Sequence, residues 1–183
     1  MQAFFHKIVN KENIPLYLIL VTAFIIRIVG INFALPLWIV GDEPAIIYAP
    51  LKMIELKTII PALHYSDFVG KFYYMPFVAY FYIFHFLAVL GFKFIFFTGT
   101  LAEFKNFLLL DASSFFLMAR FLSVLLGVST IYIVYRISFN IFKNQKIKLL
   151  SAMFLSFSLL HVIFSHWARH WTISLFNFSL VLY

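Results

Sequence analysis

Tyr73-Tyr-Met-Pro-Phe-Val-Ala-Tyr-Phe-Tyr-Ile-Phe-His-Phe-Leu-Ala-Val-Leu-Gly-Phe-Lys-Phe-Ile-Phe-Phe97 decides the fold. Only His85 and Lys93 interrupt its apolar run. As a helix it would be about 37 Å long, enough to cross a hydrocarbon core of about 30 Å. Hydropathy alone makes it a membrane span. The charges around it point the other way. Residues 136–148 carry Arg136, Lys143, Lys146 and Lys148 with no acid, and the amino-terminal tail carries Lys7 and Lys11 against Glu12. Both segments belong on the cytoplasmic side by the distribution of Lys and Arg. If 73–97 crosses, they fall on opposite sides. If it lies in the interface, they share one side, and the charges favour this arrangement. The helix has no clear polar face of its own, so an interfacial position requires that it pack on other protein.

The rest of the composition fits a chain that lives in lipid. Of the 183 residues, 64% are hydrophobic and 11% charged, against roughly 25% charged in an ordinary soluble domain. Mean hydropathy is +0.98. The absence of Cys excludes disulfides, thiolate metal sites and thiol nucleophiles. A net charge of +7 in such a chain marks cytoplasmic loops and anionic lipid as partners, and no nucleic acid is expected.

Outward from 73–97, the sequence predicts an all-α, polytopic transmembrane helical bundle forming a single domain. Spans are expected at about 14–33, 115–142, 149–165 and 172–183. Residues 34–114 then form an extracytoplasmic loop with interfacial, juxtamembrane helices. The first span is too long for the apolar core of a cleavable signal and is expected to be retained. Within 34–114, residues 45–56 read as a short helix with Ile46, Ile47, Leu51 and Ile54 toward the membrane. Residues 98–114 read as a mixed loop. The apolar run at 172–183 has no polar tail, which predicts that the sequence is the front part of a longer protein. No repeat is present.

Two polar clusters fall on the extracytoplasmic face in this arrangement. Asp42-Glu43 follows the first span, between Gly41 and Pro44. A carboxylate pair at a helix mouth suits proton transfer, and equally a solvated turn. Ser165-His-Trp-Ala-Arg-His-Trp171 offers His166, Arg169 and His170, side chains suited to a phosphate. The same segment fits an interfacial belt anchored by Trp167 and Trp171. Arg27, inside the first span, faces a partner or snorkels to the interface. His85 and His161 lie in apolar runs and read as packing or helix–helix hydrogen bonds. No spacing supports a metal site, and no cofactor is expected.

The order of features resembles one family. Arg27 and Pro36 precede Gly41-Asp42-Glu43-Pro44. Then come Tyr73-Tyr-Met-Pro76-Phe77, Arg120-Phe-Leu-Ser123-Val-Leu-Leu-Gly127, the basic loop and Ser165-His166. This series resembles the amino-terminal half of the GT-C membrane glycosyltransferases, the protein mannosyltransferase and aminoarabinose-transferase-like group. Two places depart from it: Met75-Pro76-Phe77 stands for a His-Pro-Pro-Leu type motif, and Trp171 stands where an Asp often follows the third span. The resemblance implies transfer of a sugar from a polyprenyl-phosphate donor to an acceptor hydroxyl on protein, lipid or glycan, with inversion, on the outer face of the cell membrane. It implies Asp42 as the base and Glu43 as its support. Arg169, His170 and His166, with Arg120, would then hold the donor phosphate. The competing expectation is a non-enzymatic membrane protein, such as a transporter or flippase component.

Overall fold

The computed structural model describes residues 13–37, 43–59 and 76–183. They are helical, with no strand among them. The helices are α1 (Ile14–Ile28), α2 (Glu43–Glu55), α3 (Pro76–Ile95), α4 (Leu101–Leu110), α5 (Ser113–Phe142), α6 (Gln145–Phe157), α7 (Leu159–His166) and α8 (His170–Leu182).

The axis is α5, 30 residues and about 45 Å long. Helices α1, α3, α6, α7 and α8 all pack against it. At one end, the start of α1 (Asn13, Tyr17), the last turns of α5 (Arg136, Phe139) and Lys148 of α6 share a cavity. At the other, residues 29–33, Arg120 of α5, and His166 and Trp167 share another. Helices α1 and α6–α7 therefore run antiparallel to α5, and α8 returns alongside it, bringing Tyr183 to Arg136. The start of α1 and the basic 143–148 segment lie at one end of the described residues.

Helix α3 runs antiparallel to the first part of α5. Tyr82 OH lies 3.4 Å from Ser123 Oγ, His85 Nε2 2.9 Å from the Met118 carbonyl, and the Phe86 ring 6.1 Å from that of Phe115. Beyond that level, Phe94 and Phe97 pack on Phe104 of α4. The helix thus covers one half of α5 and overshoots its start. Helix α2 packs on α3. Ile46 and Ile47, expected to face lipid, are buried in the protein core with Val78, Tyr82 and Phe116. A helix lying on a protein shelf buries its apolar face in that shelf.

Two helices, α3 (over Phe77–Ile95) and α5, are long and apolar enough to cross a membrane. The α6–α7 pair makes a third if its 56° bend is included in one span. The expected first span is shorter than 14–33. Helix α1 stops at Ile28 because Val29 and Gly30 form a tight turn closed by Ile31 N–H donating to the Ile28 carbonyl at 3.2 Å. Gly30 sits at φ +80°, as the third position of a type II turn demands. The expected 149–165 span starts earlier, where the Asn144 side chain caps α6, and breaks at Ser158. Residues 98–114, read as loop, contain α4. Thr100 and Glu103 close a reciprocal capping box at its start.

Candidate functional site

Glu43 begins α2 with no exposed surface, and Arg120, 1% exposed, sits two turns into α5. Their side chains form a two-point ion pair. Arg120 Nε donates to Glu43 Oε1 at 2.9 Å and Nη2 to Oε2 at 2.6 Å. Arg120 Nη1 donates to the carbonyls of Ile31 and Phe33, both at 2.7 Å. Four of the five guanidinium N–H groups are thereby engaged. Glu43 Oε1 also accepts the Ala168 backbone N–H at 2.7 Å. One carboxylate thus ties together α2, α5 and the segment between α7 and α8, while Arg120 holds the turns after α1. A buried charge pair is stable only when hydrogen bonds satisfy most of its remaining polar groups.

Beside this clamp opens a cavity of about 280 Å³, bounded by Gly30, Phe33, Arg120, Ile163, His166 and Trp167. The His166 ring bridges α7 to the turn after α1, with its nitrogens 2.9 Å from the Val162 and Val29 carbonyls. The Arg169 guanidinium lies 5.2 Å over the Trp167 ring, and the His170 ring lies 4.3 Å from Trp171. Thr172 Oγ1 donates back to the Phe164 carbonyl at 2.8 Å, pinning α8 to α7.

A second polar group is built around Arg27, which has no exposed surface and does not snorkel. Its Nη1 donates to the carbonyls of Ala23 at 2.9 Å and Ser156 at 3.2 Å, and its Nη2 to that of Leu155 at 3.4 Å. Nη2 also lies 2.6 Å from His161 Nδ1, which accepts, since a guanidinium has no acceptor. The bend at Ser158 withdraws helical N–H partners from the end of α6, and Arg27 supplies replacements. His85 and His161 both make the interhelical hydrogen bonds anticipated for them.

Arg120, Ser123 and Gly127 lie at i, i+3 and i+7 on one face of α5. Arg120 meets Glu43, Ser123 is near Tyr82, and Gly127 meets Ser165. A Cβ on Gly127 would strike the Ser165 hydroxyl and approach Arg27 Nε to 3.5 Å. The Arg-x-x-Ser-x-x-x-Gly pattern therefore carries close packing as well as charge.

Of the residues singled out in sequence, Glu43, Arg120 and His166 converge at one end, where the Ala168 N–H reaches Glu43, while Arg169 and His170 do not line the cavity. Arg120, anticipated as a phosphate ligand, holds Glu43 and two carbonyls and also lines the cavity. Asp42 lies outside the described residues, one peptide from the fixed Glu43. No family model, curated protein or solved structure matches the chain. Among the described residues, no three His, Asp or Glu side chains converge as a metal site. Sequence reasoning missed the Arg27–His161 contact and the Glu43–Arg120 pair. Each joins residues far apart in sequence; a polar residue in an apolar run hinted that a partner exists but not which one.

Proposed function

We propose that the chain is a polytopic membrane glycosyltransferase of GT-C type, its α2–α4 segment lying over the outer ends of the spans. The substrate pair is a sugar on a polyprenyl phosphate and an acceptor hydroxyl. Asp42 takes the hydroxyl proton as the acceptor oxygen bonds to the anomeric carbon. The bond from that carbon to the phosphate oxygen breaks, its electron pair leaves with the lipid phosphate, and the centre inverts. Arg169, His170 and His166 stabilise the departing phosphate. Arg120 and the Ala168 N–H fix Glu43, the residue that follows Asp42 in the chain.

One observation supports this reading: Glu43, the residue after the proposed base, reaches both Arg120 and the Ala168 N–H of the cationic segment. The test is transfer from a polyprenyl-phosphate sugar in membranes holding the natural-length protein. Asp42→Asn should lower transfer at least 100-fold, the lower bound for a positioned acid–base group, at unchanged expression. Full activity of Asp42→Asn overturns the assignment.

The broken α6–α7 helix favours a second reading, because interrupted spans with buried charge also build transport sites. In a transporter, Arg27→Leu abolishes solute flux and no sugar-transfer activity exists to be lost at Asp42.

A further inference from the structure

The basic end of the molecule holds a cavity of about 330 Å³ between α1, α5 and α6. Its two cations are Arg136 and Lys148. Arg136 Nη1 donates to Tyr132 OH at 3.0 Å and Nη2 to Tyr183 OH at 2.8 Å. The Lys148 ammonium stands 4.7 Å over the Tyr135 ring and 4.2 Å over that of Phe139. Phenols and rings hold both cations in place without neutralising them. The described carboxylates are engaged elsewhere: Glu43 with Arg120, Glu55 with Lys52, Glu103 with Thr100, and Asp111 with the Ser113 N–H. Lys143 and Lys146 add charge at the same end.

The surface leading away from this cavity is apolar. Tyr17, Val21 and Ile25 follow one another at i, i+4 and i+8 along α1, with exposures of 40%, 56% and 52%. A fixed pair of cations at the top of an exposed apolar stripe matches a molecule with an anionic head and a hydrocarbon tail.

We propose that the Arg136–Lys148 cavity binds the phosphate of an anionic membrane lipid, whose acyl chain lies along Tyr17, Val21 and Ile25. The site is at the opposite end from Glu43 and depends on the chain residing in a membrane, not on the transferase reading. A free phosphate would use the cations but gain nothing from the stripe.

The test uses the purified chain in neutral detergent, with retained lipid counted by native mass spectrometry. The probes are phosphatidylglycerol, phosphatidylcholine and inorganic phosphate. Phosphatidylglycerol should be retained in preference to phosphatidylcholine, and inorganic phosphate should not compete at equal concentration. Arg136→Gln and Lys148→Gln should each cut the preference about fivefold, the usual effect of one basic residue near an anionic surface. Arg136→Lys, which keeps the charge, should preserve most of it and serves as the check on folding. Lys57→Gln, remote from the cavity, should change nothing. Equal losses in Lys57→Gln and Lys148→Gln, or in Arg136→Lys and Arg136→Gln, overturn the site. Competition by inorganic phosphate overturns the lipid as its ligand.

Discussion

Glu43 and Arg120 meet across 77 positions of sequence with almost no exposed surface between them. Removing either partner strands the other charge, which costs about 3–5 kcal/mol. In a chain of this size that lowers the unfolding midpoint by roughly 10 °C. Glu43→Gln and Arg120→Met should each show that loss in a detergent thermal melt, and the double variant should lose less than the sum. Losses that simply add would mean the two groups are not coupled. The two glycines near this region differ in physics. Gly30→Ala meets no neighbouring atom, so its cost is backbone strain alone, about 1–2 kcal/mol at positive φ. Gly127→Ala drives a methyl into Ser165 and should cost about 1–3 kcal/mol. Adding Ser165→Ala should recover part of the Gly127→Ala loss and none of the Gly30→Ala loss, as read by the same melts. Residue types announced Asp42-Glu43 and Arg120 in the sequence, since charges in so apolar a chain require a reason. Their pairing was not legible, because it arises only when α2 docks on α5.

At the scale of elements, α4 depends on its first turn. The Glu103 carboxylate accepts from the Thr100 N–H at 2.7 Å and from the Thr100 hydroxyl at 2.9 Å, and these bonds hold it below the usual carboxylate range. A lowered folded-state value means the contribution is complete above the ordinary pKa of Glu, about 4.3, and disappears as pH falls through the lower folded value. Protection of the 101–110 amides from exchange should therefore hold steady from neutral pH to about 5 and fall below about 4. Glu103→Gln, which still accepts the N–H, should remove that pH dependence, and a persistent acid transition would assign it to another group. The Thr-x-x-Glu signal for this helix was present in the sequence but was overlooked in a stretch that also contained Lys105 and Asp111. The break at Ser158 was illegible for a different reason: neither Gly nor Pro marks it, and Arg27 from a distant helix donates to the Ser156 carbonyl there and adds to the Ser158 N–H at that of Leu155. The long, strongly apolar α5 was read nearly to the residue, because lipid-like composition over that length leaves few alternatives.

For the whole molecule, the two ends of α5 are the organising fact. Arg120 and Arg136 are separated by about 24 Å along the helix axis, close to the thickness of a hydrocarbon core. Single Cys residues at Asn106 and Asn144 of this Cys-free chain report which end faces which compartment. An impermeant thiol reagent applied to intact cells should label position 106 and leave 144 unlabelled. Labelling of 144 alone would put the basic end outside, and the shared outer site of Asp42 and Arg169 would fall with it. Lys and Arg counts predict that the amino-terminal tail and the basic loop share a side, and the labelling experiment decides it. The number of crossings was not legible, because α3 has the length and composition of a span while packing along only half of α5.

Arg27 also imposes an order on synthesis. Ser156, one of its acceptors, is made 129 residues after it, roughly 10 s at ordinary translation rates. Throughout that interval the first helix carries, in its last turn, a cation whose long-range partners do not yet exist. If α1 crosses the membrane, its guanidinium is fully housed only once the kinked helix arrives to receive it. A ribosome halted before Leu155 would leave that helix extractable by alkali, and one halted well beyond His161 would not.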